Sequence, residues 1–272
     1  MDLEQKYTLS VKALKDYADQ AHFTDVVLGL SGGIDSALVA VMCVDAFGAE
    51  HVHTYMLPGP YSTDHSISDA EALAHNLGIK TEAISIVGPY EAFVKALEPS
   101  VGGKLEGLAS ENTQARCRMV CIMALSNAFG WMMVNTGNKS EAAMGFSTLY
   151  GDTSGAFAPI GGLYKTDVFA LSRWVNERAV AEGKVAPIPE HIITKPPSAE
   201  LSPGAEDEKA LGIDYETLDK ILIAHFEQGK SAEEIVAAGF DADEVAYAIR
   251  RTNSYAFKRA VEPPFPDVKF YA

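Results

Sequence analysis

Cysteine is scarce: Cys43, Cys117 and Cys121 are an odd count with no C-x-x-C spacing, which excludes a disulfide framework and a thiolate metal site. Each lies in a predicted apolar helix and reads as a reduced core thiol. His51, His53, His65, His75, His191 and His225 have no metal-site spacing to carboxylates or thiols, so none is assigned chemistry. Basic residues are also few, 22 Lys and Arg against 37 Asp and Glu. The net charge of −15, with no long basic run to offset it, argues against nucleic acid or anionic membrane as a partner, but not against a local cationic pocket. No apolar run approaches the roughly 18 residues of a membrane span, and Met1 to Lys6 lacks a charged-then-apolar signal pattern. The expected location is the cytoplasm. Internal repeats and low-complexity tracts are missing, and 272 residues suffice for one large α/β domain or two smaller ones.

What is present is organised around Leu28-Gly29-Leu30-Ser31-Gly32-Gly33-Ile34-Asp35-Ser36-Ala37. Val26 to Leu30 is short, apolar and β-branched, as in a buried parallel strand. From Ala37 to Val44 the chain is apolar without Gly or Pro, so a buried helix starts near Ser36. A strand turning through Ser-Gly-Gly into a helix leaves backbone N–H groups unpaired at the positive end of a dipole, which makes an anion site. Gly32 and Gly33 let an anion reach the main chain, and Ser31 and Ser36 add hydroxyls. Asp35 would repel that anion unless a cation lay between them, so it reads as a Mg²⁺ ligand beside a polyphosphate. Two decoys overlap these patterns. Gly29-Leu30-Ser31-Gly32-Gly33 also fits the G-x-S-x-G nucleophile elbow of hydrolases. Gly229-Lys230-Ser231 imitates a Walker A ending but lacks its first glycine, since position 224 is alanine, and no strand precedes it.

Along the chain, an amphipathic helix is expected over 3–20, strands over 51–57, 79–86 and 131–135, and helices from 70 to 77, 111 to 129 and 165 to 180. Residues 101–110 read as a mobile glycine-containing loop, and 145–162 as irregular but functional. Residues 185–212 shift to Pro, Glu and Lys, as in a segment that closes over a ligand or links two parts. Three short helices follow over 215–226, 231–238 and 241–258, with capping-box spacings at Ser231/Glu234 and Asp241/Glu244. The strand–helix alternation implies right-handed crossovers. The fold class is α/β, a doubly wound, Rossmann-like parallel sheet flanked by helices. Residues 1–272 form a single domain, with a small C-terminal helical appendage at 213–260.

Ligands of such a sheet sit beyond the carboxyl ends of its strands. That places the Ser31 loop, the 57–66 loop and Thr136-Gly137-Asn138-Lys139-Ser140-Glu141 on one edge. The 57–66 loop is then an adenosine wall or an ordinary surface loop. Glu141 is positioned to join Asp35 on one Mg²⁺. Asn112 and Arg116 share a helix face; their partner is either a phosphate or carboxylate ligand or a neighbouring acid. Arg118 points elsewhere. Lys165 is either a phosphate contact or a solvated lysine, and Arg250-Arg251 and Lys258-Arg259 read first as solvated pairs.

Ser31-Gly32-Gly33-Ile34-Asp35-Ser36 resembles the pyrophosphate loop of the ATP-pyrophosphatase superfamily, whose members adenylate a carboxylate or carbonyl before a nitrogen or sulfur nucleophile displaces AMP. Taken with Glu111 to Arg118, Thr136 to Glu141, Thr148-Leu149-Tyr150-Gly151-Asp152, Leu163-Tyr164-Lys165-Thr166 and Pro197-Ser198-Ala199-Glu200-Leu201, the chain is similar from about residue 26 to 259 to the NAD⁺ synthetase family. The ordered motifs outweigh the hydrolase reading. The resemblance implies a homodimer joining deamido-NAD, ATP and ammonia into NAD⁺, AMP and pyrophosphate. It places Gly29, Leu30, Ser31, Gly32, Gly33, Ile34, Asp35, Ser36 and Thr136 on ATP, with Mg²⁺ on Asp35 and Glu141. Lys165 and Ser198 would touch the ATP phosphates and, with Asp35, carry the chemistry. Asn112, Arg116, Glu141, Phe146, Leu149 and Lys258 would face deamido-NAD.

Leu149, Ala156 and Phe257 stand where the short, ammonia-using form carries lysine, aspartate and histidine. The wording around Gly155 to Pro159 and Ile193 to Pro197 instead resembles the synthetase half of the glutamine-using form. The chain has no room for that form's amidase domain, so free ammonia is the expected nitrogen source, with a separately encoded glutaminase as an optional partner.

Overall fold

The computed structural model describes all 272 residues. The elements run α1 (Leu3–Gln20), β1 (Val26–Gly29), α2 (Ile34–Phe47), β2 (Val52–Met56), α3 (Asp64–Leu77), β3 (Lys80–Ala83), α4 (Val87–Val101), α5 (Gly107–Phe129), β4 (Met132–Met133), α6 (Lys139–Met144) and α7 (Lys165–Ala181). The shorter α8 (Glu190–Thr194), α9 (Asp207–Leu211), α10 (Tyr215–Leu222), α11 (Ala232–Ala237), α12 (Ala242–Ser254) and α13 (Ala256–Arg259) complete the chain.

The four strands form one parallel sheet in the order β3-β2-β1-β4, with Val26 opposite both Val52 and Met132. The order explains the layering. Moving outward from β1 to β3, right-handed crossovers place α2 and α3 on one face; the return to β4 passes α4 and α5 over the other. The chain therefore reverses between β1 and β4, and the loops leaving those two strands flank the switch point where such sheets bind ligands.

α2 is apolar on every side and buried from Ile34 through Cys43 except at Asp35, because it is enclosed by the sheet, α1, α3 and α7. α1 presents Tyr7, Leu14 and Ala18 to this core and starts with a capping box between Asp2 and Gln5. A second core joins Leu211, Tyr215, Leu218, Ile221, Val245 and Ala248 to Ala143, Met144 and Tyr164, so the C-terminal helices pack directly on α6 and the start of α7.

Several boundaries differ from the sequence reading. The fourth strand shrinks to Met132–Met133, extended by one bridge from Val134 to Phe157. Helix α4 was not anticipated. It buries none of its residues and carries Pro99, so it offers neither a clear apolar stripe nor a clean helix signal. Val101 ends that helix and Gly107 begins α5, leaving only a short loop within 101–110. Residues 185–212 contain α8 and α9, each too brief to show periodicity. The 215–226 helix finishes as one π-helical turn, Ile223–Glu227, and Asp241 caps α12 without the reciprocal half of a box.

Candidate active site

The turn after β1 is built from its own serines. Ser31 Oγ accepts the Gly33 N–H at 3.1 Å and lies 3.0 Å from Ser36 Oγ, which donates to the Gly33 carbonyl at 3.0 Å and takes the Ser31 N–H at 3.2 Å. This arrangement leaves the N–H groups of Gly32, Ile34, Asp35 and Ser36 without an acceptor in the protein. They are the orphan donors at the start of a 14-residue helix, as an anion site requires. Gly32 serves a different end from the one expected. Its φ is +75°, and a Cβ there would lie 2.3 Å from the Ser66 carbonyl oxygen. Glycine is needed so that the loop can meet the first turn of α3, and the Gly32 Cα faces that turn, not the cavity.

Beyond the loop is a cavity of about 380 Å³. Gly29, Leu30, Ser31, Gly33, Ile34, Asp35, Ser36, Thr136, Glu141, Phe146, Lys165 and Ser198 all reach its wall. Leu57, Pro58, Ser62 and Ser66 line it too, so the 57–66 loop is part of the site. No histidine does, and Ser31 is bonded only to its own loop. A hydrolase charge relay has no base here.

Lys165 lies at the centre. Its side chain is 2% exposed, with Nζ 2.5 Å from Asp35 Oδ2 and 2.9 Å from Glu141 Oε1. The solvated reading of Lys165 is thereby overturned: as the first residue of α7 it turns its stem inward. Burial alone would push its ammonium down, but the two carboxylates outweigh burial and hold it well above an ordinary lysine. Burial pushes Glu141 up to about 7 even with Lys165 opposing. Asn138 connects the two loops: its Nδ2 donates to Asp35 Oδ1 at 2.9 Å, and its Oδ1 accepts the Glu141 N–H at 3.0 Å as the N-cap of α6. Tyr215 donates to Glu141 Oε1 at 3.4 Å.

Ile192, Lys195 to Leu201 and Asp207 line the cavity from the segment that follows α7. Glu200, at φ +48°, accepts bonds from Thr63 N, Thr63 Oγ1 and Ser66 Oγ at 2.7–3.1 Å. Lys195 reaches Asp69 at 2.8 Å and Ser66 Oγ at 3.2 Å, and His191 also meets Asp69 at 2.8 Å. Ser198 donates to the Ala205 carbonyl at 2.6 Å and accepts the Glu200 N–H at 3.1 Å, shaping the segment's own turn.

The residues assigned to the dinucleotide separate. Glu141 and Phe146 reach the cavity wall; Asn112, Arg116, Leu149 and Lys258 do not. Asn112 accepts Thr148 Oγ1 at 2.7 Å, Arg116 donates to the Leu149 carbonyl at 3.1 Å, and Lys258 donates to the carbonyls of Gly145 and Ser147. These three hold residues 145–149 in place from behind. Arg251 and Arg259 are not solvated either: they donate to the Met144 and Ala143 carbonyls at the negative end of α6.

Sequence reasoning missed three contributors to the wall. Arg118 enters it with Nε on the Leu57 carbonyl at 3.0 Å, and burial lowers the pKa of its guanidinium. Asp207 brings a further carboxylate from α9, its pKa raised by burial, where no periodic pattern marked a helix. Asp152 is exposed to the cavity, and partial desolvation by the surrounding protein raises its pKa. Its place in a motif was visible in the sequence, but its environment was not.

The cavity therefore combines free helix-start amides, a buried lysine and carboxylates from two converging loops. Such a set can hold a polyphosphate and stabilise charge developing on it. Comparison with known proteins gives this chemistry a family. The family model described as NAD synthase matches residues 6–262. Among curated relatives, the glutamine-dependent NAD(+) synthetase of Thermotoga maritima is 44% identical over 259 residues, 94% of this chain and 44% of its own length. The chain spans about half the length of the curated relatives it matches. Among solved structures, the glutamine-dependent NAD+ synthetase of Acinetobacter baumannii in complex with ADP is 35% identical with a TM-score of 0.69, covering 98% of this chain and 47% of that one. The NH3-dependent NAD synthetase of Campylobacter jejuni is 29% identical with a TM-score of 0.74, covering 95% of this chain and 96% of that one. This chain belongs to the NAD synthase family.

Proposed function

We propose that the chain catalyses the ATP-dependent amidation of deamido-NAD by ammonia, yielding NAD⁺, AMP and pyrophosphate. The observation that carries this reading is the buried Lys165 held between Asp35 and Glu141, directly beside the free amides of the Ser31 loop. A carboxylate is a poor acyl electrophile because oxide would have to leave. Attack of a nicotinate oxygen on the α-phosphorus breaks the bond to pyrophosphate and turns that oxygen into part of an AMP leaving group. Lys165 and the loop amides face the charge that grows on the departing phosphates. Ammonia then attacks the mixed anhydride, the carbon–oxygen bond to AMP breaks, and the added nitrogen gives up a proton. Residues 190–207, fastened to α3 through Glu200 and Lys195, keep bulk water from the anhydride.

The donor set suits Mg²⁺: Asp35 and Glu141 offer two hard carboxylates from adjacent loops, the usual protein share when phosphates supply other ligands. We assign the metal to these two residues, where it would neutralise phosphate charge. Thr136 and Ser198 complete the ATP assignment from the cavity wall, and Phe146 the dinucleotide side.

A second reading is favoured by the relatives named glutamine-dependent: the same site receives ammonia released by a glutaminase unit. Supplying deamido-NAD, ATP and Mg²⁺ with ammonium or glutamine in parallel separates the two. Equal NAD⁺ and pyrophosphate with ammonium supports direct use; product that requires glutamine and an added glutaminase supports the second. Pyrophosphate without NAD⁺ under any nitrogen source would sink both.

We also propose a homodimer acting in the cytoplasm. α4 has no buried residue, and Phe93, Leu97 and Val101 stand exposed with Leu108 and Val120 of α5, an apolar face suited to a second copy. Phe93→Asp with Leu97→Asp is expected to halve the mass found by light scattering; an unchanged mass would place the interface elsewhere. No helix is long and apolar enough to cross a membrane.

A further inference from the structure

Asp219 lies on α10, in the C-terminal helical unit, and is only 1% exposed. It pairs with no cation and does not line the cavity. Its Oδ1 accepts Ser140 Oγ at 2.5 Å, and its Oδ2 accepts the Thr166 N–H at 2.8 Å. Ser140 Oγ in turn accepts the Lys165 N–H at 2.8 Å. A carboxylate taken this far out of water is costly unless hydrogen bonds replace its hydration. Here the replacement comes from the first turns of α6 and α7, which carry Glu141 and Lys165.

We propose that Asp219 is a positioning residue for this site: by joining Ser140 to Thr166, it fixes the starts of α6 and α7 so that Glu141 and Lys165 meet at Asp35. The inference rests on the roles assigned to Lys165 and Glu141 above. It gives the C-terminal helices a part in the chemistry without any contact to substrate. An apolar residue at 219 would fill the same space, but it would leave the Ser140 hydroxyl and the Thr166 amide without an acceptor. The two helix starts would then lose the bridge through Asp219 and keep the bond from Lys165 N to Ser140 Oγ, the Lys165–Glu141 pair and the bond from Lys139 N to the Leu163 carbonyl.

The test uses Asp219→Asn, which keeps the size and one acceptor oxygen, and Ser140→Ala, which removes the bridge from the other side. Hydrogen exchange at the Lys165 and Thr166 amides is expected to quicken about tenfold or more in Asp219→Asn, with β1 and α2 unchanged. ATP–pyrophosphate exchange driven by deamido-NAD should fall about 10- to 100-fold while KM for ATP moves less than threefold. Because both substitutions cut one bridge, the double variant should be no slower than the slower single one. Parent-level amide exchange, pyrophosphate exchange within twofold of the parent, or losses that multiply in the double variant would each overturn the proposal. If Asp219→Asn does not fold, Ser140→Ala decides alone on the Thr166 amide, which donates to Asp219 and not to Ser140. If the parent itself shows no pyrophosphate exchange, the proposed reaction fails, and amide exchange still decides the role of Asp219.

Discussion

Asp35 and Glu141 share one ammonium: Lys165 Nζ lies 2.5 Å from the first and 2.9 Å from the second, although the three residues are far apart in sequence. Removing the cation would leave two partly buried carboxylates facing each other. Lys165→Met is therefore expected to lower stability by about 3 kcal/mol at pH 8 and to abolish pyrophosphate exchange. The stability loss should shrink toward pH 5, because Glu141, pushed up to about 7, is then protonated and no longer a stranded charge. Urea unfolding at the two pH values measures this, and an equal loss at both would contradict the shared-cation account.

The same carboxyl would set the pH dependence of the Mg²⁺ site proposed at Asp35 and Glu141. Only the ionised form of Glu141 can ligate Mg²⁺, so affinity should weaken as pH falls through about 7. Without ATP, apparent Mg²⁺ affinity is expected to drop about tenfold between pH 8 and pH 6, and Glu141→Gln should bind weakly at both. A parent affinity that does not change with pH would remove Glu141 from the metal.

Gly32 tests the loop. A methyl at φ +75° costs about 2 kcal/mol in backbone strain alone, and this one would strike the Ser66 carbonyl. Gly32→Ala should be destabilised by at least that amount in urea and should weaken ATP binding by displacing the first turn of α3. Parent-like stability would mean that the close approach to Ser66 is not a constraint.

The strand–loop–helix around Ser31 was legible because its signals are local: a β-branched run, two glycines and an apolar helix. The parallel sheet was legible from the strand–helix alternation, but the order β3-β2-β1-β4 was not, because no local signal says which strand lies beside β1. Lys165 was legible only as a helix start beside a motif, since its pairing with Asp35 joins residues that only the folded sheet brings together. Arg118 does point away from Asn112 and Arg116, as the helical spacing implies, but spacing does not reveal that the 57–66 loop meets that side of α5 and makes it the cavity side. Asp207 lies on a five-residue helix, too brief for periodicity. Nothing local in the sequence marks Asp219; its burial depends on two helix starts arriving from distant parts of the chain.

In the proposed reaction the substrate carboxylate is adenylated before nitrogen attacks it. Deamido-NAD labelled with ¹⁸O in both nicotinate carboxylate oxygens, turned over once with ATP, Mg²⁺ and ammonium, tests it directly. Adenylation predicts one labelled oxygen in AMP and one retained in the carboxamide of NAD⁺, with none in pyrophosphate. Label in pyrophosphate, or AMP without label, would contradict the account.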